Sequence, residues 1–125
     1  MSDVINLEIH QLQAIVIDAL EDVKAEDIRV VEMKEMASFT DLMIIASGGS
    51  NRQVKALANN VVVKAKEKGV TVLGMEGEVD AEWVLIDLGD IVVHIMQPRI
   101  RDFYNLEKLW SVEGQEAAQA PDSAE

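Results

Sequence analysis

At 125 residues and 49% hydrophobic composition, the chain is sized for one domain with a single core and is too apolar to remain disordered. The formal charge is −12, from 23 acidic against 11 basic residues; four of those acids and no base lie in the last fifteen residues, which leaves the body at −8. That sign excludes the broad basic footprint of nucleic-acid binders, so no direct sequence-specific nucleic-acid binding is expected, and the absence of cysteine excludes disulfides and thiol catalysis.

The opening segment MSDVINLEIH is acidic and lacks the basic-then-apolar order of a secretory signal. No apolar run approaches the ~18 residues of a spanning helix, so a cytoplasmic protein without a membrane partner is expected. In NLEIHQLQAIVIDALEDVKAED, Leu12, Ile15, Val16, Ala19, Leu20 and Val23 recur at helical spacing with acids opposite. This predicts a first helix with Asn6 as its cap. DIRVVEM then alternates as a short strand with Ile28, Val30 and Glu32 on one face. DLMIIAS is a continuous apolar run, as expected of a central strand covered on both sides.

Ser50 and Gln53 fit the capping box that opens a helix, and Val54, Leu57, Ala58, Val61 and Val62 form the apolar stripe behind it. Gly69 is the expected C-terminal stop. VTVLG reads as a third strand, and EWVLID and DIVVHIM as two more, joined by a tight turn at Leu88-Gly89. After Pro98, RIRDFYNLEKLW predicts a last short helix. The order α-β-β-α-β-β-β-α implies an α/β domain with a mixed sheet flanked by helices. It is expected to span residues 1–110, followed by a disordered acidic tail over 111–125.

The turn Gly48-Gly49-Ser50 stands before a helix, where backbone amides can cradle a phosphate. A Walker loop, however, needs a lysine where Ser50 and Asn51 follow. A nucleotidyltransferase would need paired carboxylates on the next strand, and VTVLG has none. Glu76 and Glu78 come later, with Gly77 between them. A nucleotide-binding enzyme or sensor therefore stays as the alternative to a purely structural turn. Asp87 and Asp90 flank the hairpin turn as solvated residues rather than metal ligands. His94, among aliphatic residues in a strand, is expected to pack with a satisfied ring nitrogen; with only His10 elsewhere, no histidine metal site is expected. Ser47 and Ser50 have no evident base.

Trp83, Phe103, Tyr104 and Trp110 are four of the five aromatic residues, gathered late in the chain. Leu88 stands where a hairpin tip usually carries Asn, Asp or Gly, so an exposed apolar contact is expected there. Trp83, which begins the same hairpin, fits either a core or an interface position.

The segments TDLMIIASGGSNRQV, EGEVDAEWVLIDLGDIVVHIMQ and RDFYNLEKLW resemble the iojap-related ribosomal silencing factors, in order, from about Leu12 to Trp110. Gly49 and Met96 depart from residues common in that family, and the tail from Ser111 lies outside the resemblance. The resemblance implies a nucleotidyltransferase-like fold without known transferase activity, and neither a catalytic residue nor a cofactor nor a metal. It implies binding to the large ribosomal subunit through its protein numbered fourteen, blocking the joining of the small subunit, and homodimers in some members. It also implies that Trp83 and Leu88 form the apolar centre of that contact, with Asp87 and Asp90 as an acidic rim and Tyr104 the next candidate.

Overall fold

Residues 8–32 and 42–105 are described in the computed structural model. Along them run α1 (Ile9–Asp22), β1 (Glu26–Glu32), β2 (Leu42–Ser47), α2 (Asn51–Glu67), β3 (Gly74–Glu76), β4 (Trp83–Asp87), β5 (Ile91–Met96) and α3 (Pro98–Tyr104). The element order is the expected one. The five strands make one sheet in the order β1-β2-β5-β4-β3. Only β2 and β5 are parallel; the other pairs are antiparallel, which makes the sheet mixed.

Period-two alternation divides the sheet into two faces. On one, Leu42, Ile44 and Ala46 of β2, Val84 and Ile86 of β4 and Ile91, Val93 and Ile95 of β5 are buried together. Val16 and Leu20 of α1 and Val54, Leu57 and Val61 of α2 cover them. Each such aliphatic burial contributes about 1.5–3 kcal/mol, so this face carries most of the apolar driving force. On the other face Val31, Met43, Ile45 and Met96 form a smaller cluster, with Trp83 and Ile100 packed against it. All six residues of β2 are buried, as expected of a central strand covered on both sides.

Asn6 lies outside the described residues; α1 starts after Glu8, whose amide donates to Gln11 Oε1 at 3.0 Å. The helix ends with Lys24 at φ 65°, while Ala25 N donates back to Leu20 O at 3.0 Å. A lysine in this left-handed conformation is strained by about 1–2 kcal/mol. Gln53 offsets that strain by donating Nε2 to both Val23 O and Lys24 O at 3.1 Å. The second helix ends as expected, with Gly69 at φ 83° and Val70 N bonded to Ala65 O at 2.9 Å.

Two local expectations are corrected, and a third is refined. In β1 the buried residue is Val31, on the smaller cluster, whereas Val30 is exposed. Val30 lies opposite Ile44 and Glu32 opposite Leu42, and Ile28 packs on the main core, so Ile28, Val30 and Glu32 share one face as expected. Val30 is exposed on it at the sheet's edge, and the register shift between Glu26 and Arg29, with Asp27 at φ 52°, is a bulge before this run. The third strand is Gly74–Glu76 rather than VTVLG. Gly74 pairs with Asp87 at the end of β4, so earlier residues run past the hairpin turn and find no ladder partner beyond Leu73 N to Asp87 O. Finally, α3 stops at Tyr104 because Asn105 adopts φ 51° and returns its amide to Arg101 O at 2.8 Å. The rest of the expected helix and the whole of 111–125 lie outside the described residues.

Candidate functional site

The sheet face turned away from α1 and α2 receives Trp83, Leu85 and Asp87 from β4. From β5 it receives Val92, His94 and Met96, because Trp83 pairs with Met96, Leu85 with His94 and Asp87 with Val92. Helix α3 is fastened to the same side. Its Pro98 at the first turn presets the backbone, and Ile100 packs on the smaller cluster. Arg101 is only 5% exposed. It donates Nη1 to Ser47 Oγ at 2.8 Å, and Nη2 lies 3.7 Å from Asp27 Oδ2. Ser47 is thus an anchor for a buried guanidinium, not a nucleophile beside a base.

That anchor places the end of α3 beside Trp83. The Tyr104 and Trp83 ring centroids are 4.8 Å apart at 48°, and Phe103 meets Tyr104 edge-on at 5.0 Å. On its other flank Trp83 lies 5.9 Å from the His94 ring and donates Nε1–H to His94 Nδ1 at 2.9 Å. The result is a row of four rings, His94–Trp83–Tyr104–Phe103. It passes from a buried histidine through a half-buried tryptophan to Tyr104 at 47% and Phe103 at 77% exposure.

His94 packs as expected, with a satisfied ring nitrogen. Burial pushes its pKa down from 6.5 to about 4. A nitrogen that accepts from an indole carries no proton, so the ring is neutral with its proton on Nε2.

The hairpin turn is centred on Gly89, at φ 93°, and Asp90, one residue beyond the expected Leu88-Gly89. Leu88 N still bonds Ile91 O at 2.9 Å, so Leu88 continues the alternation of Val84 and Ile86 into the main core. It is 6% exposed. The expectation of an exposed apolar tip at Leu88 is therefore overturned, because the tip itself is the glycine and aspartate that such turns favour. Asp87 Oδ1 accepts from Gly89 N at 2.9 Å, which is turn-forming work, and Asp90 is exposed beside it.

Behind Trp83 the loop from Gly77 to Glu82 closes against the strand. Gly77 sits at φ 88°, and a Cβ there would come within 2.1 Å of Trp83 O, so only glycine fits. Asn51 Nδ2 donates to Asp80 O at 2.7 Å, and Gln97 Nε2 to Asn51 Oδ1 at 2.8 Å, tying the loop and α2 to the residue that caps α3. Glu76 ends β3 and Glu78 lies in this loop. Among the described residues, no group of three or more acids or histidines is placed to hold a metal.

The Gly48-Gly49 turn is occupied by the chain's own groups. Gly49 N donates to Gln53 Oε1 at 2.7 Å, and Ser50 Oγ accepts from Gln53 N at 3.1 Å. Gln53 thus reaches the amide before Ser50 rather than that of Ser50 itself, a variation on the expected box. A Cβ on Gly48 would press on Val54 and Leu57 at 3.0 and 3.1 Å, so that glycine lets the turn pack on α2.

Sequence reasoning missed the bond from Trp83 to His94, the exposure of Phe103 and the anchoring by Arg101. The first was accessible in principle, since strand alternation puts residues 83 and 94 on one face; the other two depend on where α3 docks.

Fold and site together define an α/β domain with one mixed sheet and an exposed aromatic surface on the face its long helices leave open. A family model for "ribosomal silencing factor during starvation" matches residues 6–125, a span that runs beyond Trp110. Over 104 residues the chain is 51% identical to the ribosomal silencing factor of Chromobacterium violaceum, covering 83% of this chain and 85% of that protein. A crystal structure of a C. violaceum protein matches with a TM-score of 0.82 at 51% identity, covering 83% of this chain and 87% of that one. This chain belongs to the ribosomal silencing factor family. A more distant relative is the mouse protein named for mitochondrial assembly of the ribosomal large subunit, 31% identical over 99 residues, or 77% of this chain and 43% of that protein.

Proposed function

We propose that this chain represses translation by occupying a surface of the large ribosomal subunit. It docks through the subunit's basic protein numbered fourteen and thereby blocks joining of the small subunit. No catalysis is needed: at a factor concentration ~100 times its dissociation constant, mass action opposes a competing partner by about a hundredfold.

The observation that carries this reading is the aromatic row ending in exposed Tyr104 and Phe103, in a chain of this family. Half-buried Trp and Tyr are the side chains that dominate interface hot spots. Asp87 and Asp90 lie at the hairpin end of the same element, an acidic rim suited to a basic partner. The name of the mouse relative, which refers to large-subunit assembly, supports the choice of subunit. Leu88 supports the hairpin from the core side and leaves the contact to Trp83 and Tyr104.

The test is co-sedimentation of the purified protein with large subunits, together with the loss of joined ribosomes. Trp83→Ala and Tyr104→Ala should each weaken binding by about thirtyfold while remaining folded. Asp90→Asn should act mainly on the association rate at low salt. No co-sedimentation at low micromolar concentration, or wild-type binding by both folded alanine variants, would remove the support for this contact.

A further inference from the structure

We infer that His94 is a positioning residue of the docking surface, its unprotonated Nδ1 holding the Trp83 indole in the orientation that meets the partner. This rests on the docking role proposed for Trp83, but its physical basis is independent of any ribosome. His94 and Trp83 are diagonal neighbours on the antiparallel pair β4–β5, close enough for aromatic side chains to touch. Their contact is a directed one: Nε1–H to Nδ1 at 2.9 Å, with ring centroids 5.9 Å apart.

The two partners differ in freedom. His94 is 8% exposed, on the central strand of the sheet, and its neighbour across the parallel pair is fully buried Ile45. Trp83 is half-buried, on the next strand. A fixed acceptor therefore sets the rotamer of a partly free donor. The indole has a single N–H, and rotating the ring outward would break that bond. Tyr104 on the opposite flank, 4.8 Å away, completes the clamp but supplies only ring contact. The direction of the bond comes from His94. Burial, which keeps the imidazole neutral, keeps Nδ1 available as an acceptor.

Holding an interface side chain in its bound rotamer removes the ordering cost of docking. For one rotamer-rich side chain this is about two- to tenfold in affinity. His94→Leu removes the acceptor at similar volume, whereas His94→Asn places an amide oxygen near the position of Nδ1.

Nuclear magnetic resonance on the full chain, without ribosomes, tests the hydrogen bond directly. In the wild type His94 should be the tautomer protonated at Nε2. The Trp83 indole proton, assigned by its loss in Trp83→Phe, should exchange slowly. Its exchange should quicken at least about tenfold in His94→Leu and recover in His94→Asn. Large-subunit binding should weaken by about two- to tenfold in His94→Leu and recover in His94→Asn. A wild-type Nδ1–H tautomer, or unchanged indole exchange in His94→Leu, overturns the inference without reference to docking. Faster exchange with undiminished subunit binding overturns the positioning role while the docking surface stands. Full binding by Trp83→Ala instead removes the docking role of Trp83, and the positioning role with it. Should His94→Leu fail to fold, Trp83→Phe deletes the donor from the other side; wild-type binding by that variant overturns the inference.

Discussion

Acidification from about pH 7.5 to pH 5 should cost this domain roughly 2 kcal/mol through His94 alone. The sign follows from the depressed pKa. Above 6.5 the imidazole is neutral both folded and unfolded, and the stabilisation is fully present. Below 6.5 the unfolded chain binds a proton that the folded chain refuses until the pH nears 4. Stability therefore falls as pH drops through this window, and the whole loss, complete below the folded pKa, approaches about 3 kcal/mol. Protonation also sets two donors face to face, since Nδ1–H would then meet the Trp83 N–H that it now accepts. The assay is urea unfolding at several pH values for the wild type and for His94→Asn, which cannot titrate. Carboxylates titrate in both proteins, so the difference between the two curves isolates His94. Parallel curves would refute the reasoning, because they would mean that the folded imidazole titrates like the unfolded one.

Leu88→Ala should destabilise by about 2–5 kcal/mol in urea unfolding, the cost of a cavity in the main core. Its folded fraction should still bind large subunits as the wild type does. Loss of less than about 1 kcal/mol together with weakened binding would instead return Leu88 to the interface. Gly77→Ala should cost more than about 2 kcal/mol, since it combines a left-handed backbone with a Cβ driven into Trp83 O. A melting temperature within a few degrees of wild type would show that the loop moves freely away from β4.

The elements were legible wherever local pattern and tertiary role agree. The run of Leu42 to Ser47 announces a strand buried on both faces, and the stripe behind Ser50 announces α2 and its cap. Legibility failed where a partner elsewhere in the chain decides. Val70 to Leu73 has strand composition, yet the end of β4 at Asp87 leaves only Gly74 to Glu76 in the ladder. The bulge at Asp27 is invisible in DIRVVEM, where nothing local marks it; in the fold Asp27 lies near Arg101, from the far end of the described chain. The hairpin turn was displaced by one residue because Leu88-Gly89 and Gly89-Asp90 are both plausible glycine turns. Only the burial of Leu88 favours the second, and burial belongs to the packed sheet.

That one-residue difference decides which way the side chains at the end of β4 face. With the turn at Gly89-Asp90, residues 84, 86 and 88 all face the helices, and residues 83, 85 and 87 all face the open side. One short strand thus belongs to two surfaces with separate physical demands. The inner positions are aliphatic and fully enclosed, so their substitution is felt as lost packing. The outer positions are mixed: an aromatic, an aliphatic and an acid, each half-buried. Such a composition is poor for a core and suited to a surface that is covered only part of the time. The open face is not soft, however. The bare Gly77 lets the loop close against the Trp83 carbonyl, His94 holds its indole from one flank, and Arg101 fastens the helix that brings Tyr104 to the other. A surface fixed from three directions before any partner arrives has little left to order on binding. For the docking proposed above, preorganisation of that kind would let a domain of this size, with so few aromatic residues, make a specific contact from one tryptophan and one tyrosine.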